Sequence, residues 1–199
     1  MVYLVTGGSG SGKSAFAEKL AVELKTQMLH DGLYYIATMH CYDEESKKRI
    51  SRHREMRKDK CFETIERDLF LEEKLCPQSG EDFDTFDLSG TYLLEDLSNL
   101  LANEMYIGTH KELFFNPMGD DKKNGVECLY EKIKLLSEKT GNLIIVTNEI
   151  FSDNLEYEEQ TQDYMRKLGY LNGRLANLAD AVVEVVAGIP VIWKGKIPC

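Results

Sequence analysis

No stretch of this 199-residue chain holds the eighteen or so consecutive apolar residues of a membrane-spanning helix, so no transmembrane segment is expected. A basic region ahead of the short N-terminal apolar run is also lacking, and no signal peptide is expected. The five cysteines (Cys41, Cys61, Cys76, Cys128 and Cys199) are scattered, odd in number and nowhere spaced C-x-x-C. They point to neither a zinc site nor a disulfide framework, and the expected compartment is the cytoplasm. Positive charge is in deficit: 24 Lys and Arg stand against 34 Asp and Glu, a net charge of −10. Such a chain lacks the basic surface on which non-specific nucleic-acid binding depends. Internal repeats and low-complexity tracts are missing as well. One domain spanning residues 1–199 is expected, and a hydrophobic content of 43% is enough to give it a core.

What is present is concentrated at the start. Val2-Tyr3-Leu4-Val5-Thr6 is a short apolar run that leads directly into Gly7-Gly8-Ser9-Gly10-Ser11-Gly12-Lys13-Ser14. The second stretch fits G-x-x-x-x-G-K-[ST] in full. Physically it is a strand turning into a helix through a glycine-rich loop, whose backbone N–H groups can point inward at a polyphosphate. The following helix adds its positive N-terminal end. Lys13 is placed to reach the β- and γ-phosphates, and the Ser14 hydroxyl to ligate Mg²⁺. A flexible glycine loop with a stray lysine would lack the strand before and the helix after.

Apolar strand-like runs alternate with helical patterns along the rest of the chain. Candidate strands are Val2–Thr6, Leu33–Thr38, Cys61–Glu66, Thr91–Leu94, Leu143–Thr147 and Ala181–Val186. Helical stripes run through Phe16, Leu20 and Leu24, through Val126, Leu129, Ile133 and Leu136, and through Leu168, Leu171, Leu175 and Leu178. This alternation predicts an α/β fold with a mostly parallel sheet flanked by helices. Residues 76–90 and 110–124 read as loops. A C-terminal β-hairpin is expected over Ala181–Lys196, joined at Gly188-Ile189-Pro190.

A second constellation lies in Asp43–Lys58. Acids open this segment and bases close it, which suits the dipole of a helix. Arg49, His53 and Arg57 share one face at i, i+4 and i+8, and Arg52 and Arg54 flank the histidine. An imidazole in a cationic strip is what nucleophilic attack on a phosphate needs. The arginines hold the anion, and their charge favours the neutral, nucleophilic imidazole. Taken alone, these residues also fit a solvated charged helix with an ordinary surface histidine. His30, His40 and His110 sit in apparent loops. Glu95 follows an apolar strand, where a P-loop fold places its Mg²⁺-side carboxylate; an ordinary acid at a strand end is the other reading.

Together these motifs resemble the bifunctional adenosylcobinamide kinase and adenosylcobinamide-phosphate guanylyltransferase family of cobalamin biosynthesis. Leu4 through Ser14 is similar to that family's opening, and Tyr35-Ile36-Ala37-Thr38 to its second strand. Arg49-Ile50-Ser51-Arg52-His53-Arg54 followed by Arg57 fits R-I-x-x-H-R-x-x-R, and Thr64 with Glu66 fits T-x-E. Leu93-Leu94-Glu95 with Asn103, then Val146-Thr147-Asn148-Glu149, match in order. So do Asn172, Arg174-Leu175-Ala176 and Ala179-Asp180. The chain departs from the family where Ile150 to Glu158 replaces a G-x-G-x-V-P stretch, and where Tyr164-Met165-Arg166 replaces F-R-D. Asp96 replaces a cysteine and Phe62 a tryptophan.

The resemblance implies a P-loop NTPase-like, RecA-like enzyme with two activities at overlapping sites. ATP or GTP would phosphorylate adenosylcobinamide, and GMP would then pass from GTP to the product through a guanylylated His53. Lys13 would be catalytic beside it. Nucleotide contacts would come from Gly7, Gly8, Ser9, Gly10, Ser11, Gly12, Lys13 and Ser14. Ala37, Thr38, Met39, Arg54, Glu55, Met56, Arg57, Glu66 and Glu95 would add to them, and Ser14 and Glu95 would hold Mg²⁺. His53 must move between the two reactions, or the nucleotide must bind in two poses. A homotrimer is implied, with a corrinoid and a nucleotide as ligands. A kinase-only relative of altered specificity, and a nucleotide-binding module without catalysis, are the rival readings.

Overall fold

The computed structural model describes residues 1–27, 32–40, 60–71, 89–115, 124–153 and 155–198. The segment carrying Arg49, Arg52, His53, Arg54, Glu55, Met56 and Arg57 therefore lies outside the described residues, as do residues 76–88 of the first expected loop.

Seven strands form one sheet: β1 (Val2–Thr6), β2 (Leu33–Ala37), β3 (Glu63–Glu66), β4 (Thr91–Glu95), β5 (Asn142–Val146), β6 (Ala181–Val186) and β7 (Ile189–Lys194). Their order across the sheet is β3-β2-β4-β5-β1-β6-β7. All neighbours pair in parallel except β6 and β7, which form the antiparallel C-terminal hairpin. The fold is thus the expected α/β, mostly parallel, P-loop NTPase type. Among the described residues the α-helices are α1 (Lys13–Gln27), α2 (Leu97–Tyr106), α3 (Gly125–Lys139) and α4 (Glu159–Leu178).

Strand alternation sorts the core into two layers. Tyr3, Val5, Leu93, Ile144 and Val146 point to one face and pack on Ala17, Leu20, Ala21 and Leu24 of α1. Val2, Leu4, Leu94, Leu143 and Ile145 point to the other, against α2, α3 and α4. The central strands are covered on both faces, which is why they read as continuous apolar runs. Leaving β1, the chain passes through α1 to β2 on one side; leaving β5, it passes through α4 to β6 on the other. This reversal places a crevice outside the carboxyl ends of the strands at β1, where open α/β sheets bind their ligands.

Several boundaries differ from expectation. Glu95 belongs to β4, whereas Thr38 and Thr147 fall just past their strands. The hairpin turns at Ala187-Gly188, both with positive φ, and Ile189-Pro190 lie within β7. Residues 111–114 form a short 3-10 helix that buries Phe114, although this stretch reads as loop. In α1 the buried stripe runs through Ala17 and Ala21 rather than Phe16, which is only partly covered. The stripe of α3 is buried at all four expected positions. That of α4 is buried at Leu168, Leu171 and Leu175, with Leu178 partly so.

Candidate active site

Residues 7–12 link the end of β1 to the start of α1. Gly7 is fixed by crowding: a Cβ there would stand 2.6 Å from both the Val185 carbonyl oxygen and the Ser11 hydroxyl. Gly10 and Gly12 take φ of 69° and 91°, the left-handed region open to glycine. The loop is also tied from outside. Glu149 N–H donates to the Gly7 carbonyl at 3.1 Å, and Gly188 N–H to the Ser11 carbonyl at 2.8 Å. The first turn of α1 has no acid. Its orphan N–H groups and positive end are left to an anion.

Lys13 folds back over the loop, its ammonium donating to the Gly8 carbonyl at 3.1 Å. It is only 8% exposed. Burial lowers its pKa, and the charges of Asp96 and then Glu95 oppose that shift. Glu95 sits across from it at the end of β4. Burial raises its carboxyl pKa; a hydrogen bond from the Ser14 hydroxyl pulls the other way, and the nearby charges of Glu18 and Asp96 add to the rise. Glu95 Oε2 is buried and has no hydrogen-bond partner among the described residues. A carboxylate oxygen left unpaired beside a hydroxyl suits a hard divalent cation that takes its remaining ligands from water and phosphate. The donor set of Ser14 and Glu95 therefore fits Mg²⁺.

Asp96 follows directly. Its Oδ1 caps α2, accepting from Asn99 N–H and from the Ser98 hydroxyl, both at 2.6 Å. Its Oδ2 accepts from Asn148 Nδ2 at 3.3 Å. Thr38 locks the backbone here: its hydroxyl donates to the Asp96 carbonyl at 2.8 Å and accepts from Asp96 N–H at 2.7 Å.

The remaining expected residues that are described lie on β2 and β3 or just past them. Ala37 pairs in register with Glu66 of β3 on one side and Glu95 on the other. Thr38 is buried, Met39 half-buried and Glu66 exposed. With strands about 4.8 Å apart, β3 lies on the order of 19 Å from β1, so Glu66 does not meet the loop. The ends of β2 and β3 are held from beneath by α2. Buried Asn103 donates to the carbonyls of Thr38 at 2.8 Å and Asp68 at 3.0 Å. Buried Glu104 accepts from the N–H groups of Phe70 and Leu71, the latter at 2.8 Å. His40 pairs with Asp68 at this edge.

Sequence reasoning gave no role to Asp96, Glu104, Asn148 or the His40–Asp68 pair. The available signal was position: His40 and Asn148 stand just past the carboxyl ends of expected strands. Other motif residues prove to be structural. Asp180 Oδ2 accepts from Val2 N–H at 2.8 Å. Thr147 donates its hydroxyl to Asn172 at 2.8 Å. Arg174 pairs with Glu127 and stacks 4.0 Å over the Tyr130 ring.

A glycine-rich loop between β1 and α1 and a buried lysine at the start of α1, facing a carboxylate on a nearby strand, define a P-loop nucleotide-binding protein. Residues 3–192 match the family described as Cobinamide kinase / cobinamide phosphate guanyltransferase (CobU), and the chain belongs to that family. The "Bifunctional adenosylcobalamin biosynthesis protein CobP" of Pseudomonas aeruginosa is 28% identical over 193 residues, covering 97% of each chain. The protein called CobU in Escherichia coli is 29% identical, covering 96% of this chain and 98% of its own. Among solved structures, KaiC-like protein PH0186 from Pyrococcus horikoshii OT3 gives a TM-score of 0.47 at 12% identity, over 92% of this chain and 69% of that one. Flagellar accessory protein FlaH from Methanocaldococcus jannaschii gives 0.44 at 12% identity, over 98% and 78%. These two are too distant to bear on function.

Proposed function

We propose that this protein phosphorylates adenosylcobinamide with ATP or GTP and then transfers GMP from GTP to the phosphorylated product, giving adenosylcobinamide-GDP. The observation that carries the reading is the Lys13–Ser14–Glu95 cluster at the mouth of the loop, in a chain that matches its family almost end to end.

In the kinase step, the amides of residues 7–14 and Lys13 hold the phosphates, and Ser14 and Glu95 hold Mg²⁺. The metal, when bound, neutralises charge on the β- and γ-phosphate oxygens. Positioning and charge stabilisation are most of what phosphoryl transfer asks of a protein. In the second step His53 attacks the α-phosphorus of GTP and expels pyrophosphate, and the phosphoramidate passes GMP to the corrinoid phosphate. Covalent catalysis divides one hard displacement into two easier ones. Ala37, Thr38, Met39, Arg54, Glu55, Met56, Arg57 and Glu66 seat the nucleotide for that step. The distance of Glu66 from the loop, four strands across the sheet, supports two nucleotide poses rather than one.

The chain acts as one unit over residues 1–199, as a cytoplasmic homotrimer. All six residues of β7 are exposed, Trp193 to 70%, and such an apolar edge supports self-association. Incubation with α-labelled GTP tests the covalent step. An acid-labile, alkali-stable GMP adduct is expected, and His53→Ala should abolish it; an undiminished adduct in that variant refutes the assignment.

A further inference from the structure

Asn148 is a polar side chain beside the phosphate loop that the functional reading leaves without work. Backbone hydrogen bonds fix its place. Thr147 N–H donates to the Val5 carbonyl at 2.9 Å, and Glu149 N–H to the Gly7 carbonyl at 3.1 Å. Asn148 therefore lies one strand spacing, about 4.8 Å, from the chain where it leaves β1 for the loop. Lys13 donates to the next loop carbonyl, that of Gly8, at 3.1 Å. The asparagine and the ammonium group thus meet the loop at neighbouring residues.

Hydrogen-bond logic settles which way round the Asn148 amide stands. Ser98 gives its one hydroxyl hydrogen to Asp96 Oδ1 at 2.6 Å. The Ser98 oxygen accepts from Asn148 Nδ2, and so does Asp96 Oδ2 at 3.3 Å. A carboxylate oxygen only accepts, so the amino group must face it, and both of its hydrogens are committed. The Asn148 carbonyl oxygen, Oδ1, is left over. No described residue donates to it, and it is not among the buried polar atoms without a partner, so it opens to solvent. An acceptor there repels phosphate oxygens and suits a ligand that brings a donor, as an alcohol does. The next side chain, Glu149, is occupied: its Oε1 accepts from Phe151 N–H and the Ser152 hydroxyl, both at 2.9 Å.

That bond pins Phe151, three residues past Asn148 and within about 11 Å of it along the chain. The ring lies over α4 where Gly169 has no side chain; a Cβ on Gly169 would stand 3.4 Å from Phe151 Cε1. It is nonetheless 41% exposed. The turn leaving β5 therefore presents a carbonyl acceptor at the loop and, a few residues on, a backed aromatic surface.

We propose that Asn148 and Phe151 form the subsite for the acceptor alcohol of the kinase half-reaction, which rests on the kinase reading above. The corrinoid hydroxyl donates to Asn148 Oδ1 and is aimed at the γ-phosphorus, while Phe151 carries the apolar surface of the molecule that bears it. As the new oxygen–phosphorus bond forms, the bond from the γ-phosphorus to the β-phosphate oxygen breaks, and the nucleoside diphosphate leaves with that electron pair. The amide takes no proton; the hydroxyl proton leaves to water. Orienting the nucleophile is a task that phosphoryl-transfer sites give to uncharged amide side chains as well as to carboxylates.

Kinase kinetics on adenosylcobinamide, with calorimetric titration of Mg-GTP beside them, test the subsite. Asn148→Ala should lower kcat roughly 10–100-fold, the effect of a misaimed nucleophile, and leave Mg-GTP affinity within about threefold of wild type. Phe151→Ala removes an exposed ring, so the fold survives it. It should raise the KM for adenosylcobinamide roughly tenfold, with Phe151→Tyr restoring it. The proposal is overturned if Asn148→Ala leaves kcat unchanged, or weakens nucleotide binding as much as it lowers kcat, which is what a purely structural asparagine would do. It is equally overturned if Phe151→Ala leaves the corrinoid KM unchanged. A wild-type protein that binds Mg-GTP and phosphorylates no corrinoid would instead overturn the functional reading itself.

Discussion

Gly188, at the turn between β6 and β7, donates its N–H to the carbonyl of Ser11 at 2.8 Å. The C-terminal hairpin thus braces the phosphate loop from the far end of the chain. Gly188 has φ of 82°, and a Cβ there would meet nothing within 4 Å. Gly188→Ala should therefore cost only backbone strain, about 1–2 kcal/mol. For a chain of this size that is a melting temperature lower by roughly 2–6 °C. Thermal unfolding checks it. The same melts with and without Mg-GTP should show a smaller nucleotide-induced rise for the variant.

Gly7→Ala should be more damaging. The added Cβ meets the Val185 carbonyl at 2.6 Å, and backbone cannot swing aside as a side chain can. The loop must shift, and its amides then lose their common focus. Nucleotide affinity should fall at least tenfold, about 1.4 kcal/mol, while circular dichroism stays that of the wild type. Equilibrium binding of a fluorescent GTP analogue measures it.

Asn103 and Glu104 hold the ends of β2 and β3, not the loop. Asn103→Ala would leave the carbonyls of Thr38 and Asp68 without this donor in a buried place. The expected cost is about 1–3 kcal/mol in urea unfolding. Because Thr38 is among the residues proposed to seat the nucleotide, the KM for GTP should rise more than kcat falls.

These buried polar residues also explain what the sequence concealed. Strand β1 was legible residue for residue because both its faces are covered, and β6 because its residues alternate between buried and partly covered along an apolar run. The stripes of α3 and α4 were legible for the usual reason, one apolar face per helix. Helix α2 was not, since Ser98, Asn103 and Glu104 stand on its buried side and break the apolar period. The loop and Glu95 could be read from motif and position. Asp96 showed only as a departure from a family pattern, and its bond to Asn148 joins residues 52 positions apart. No local pattern encodes such a contact.

Tyr164 gives the protein an alkaline limit. Its hydroxyl donates to the Ser98 carbonyl at 3.1 Å. Burial, and then the charge of Asp96, push its pKa up from 10.0 to about 12. The neutral phenol is the form the fold favours. Its contribution to stability is full below the unfolded-state value near 10 and is lost as pH rises through about 12. Tyr164→Phe should flatten the fall in melting temperature between about pH 10 and 12, leaving the contribution of the other tyrosines. An identical alkaline slope in the variant would contradict the assignment.

The most direct test of the whole account is calorimetric titration of the folded protein with Mg-GTP and Mg-ATP, beside Lys13→Ala. One nucleotide should bind per chain, and the variant should lose at least tenfold in affinity, about 1.4 kcal/mol. No purine-nucleotide binding by the wild type, or binding untouched by loss of the ammonium group, would contradict it.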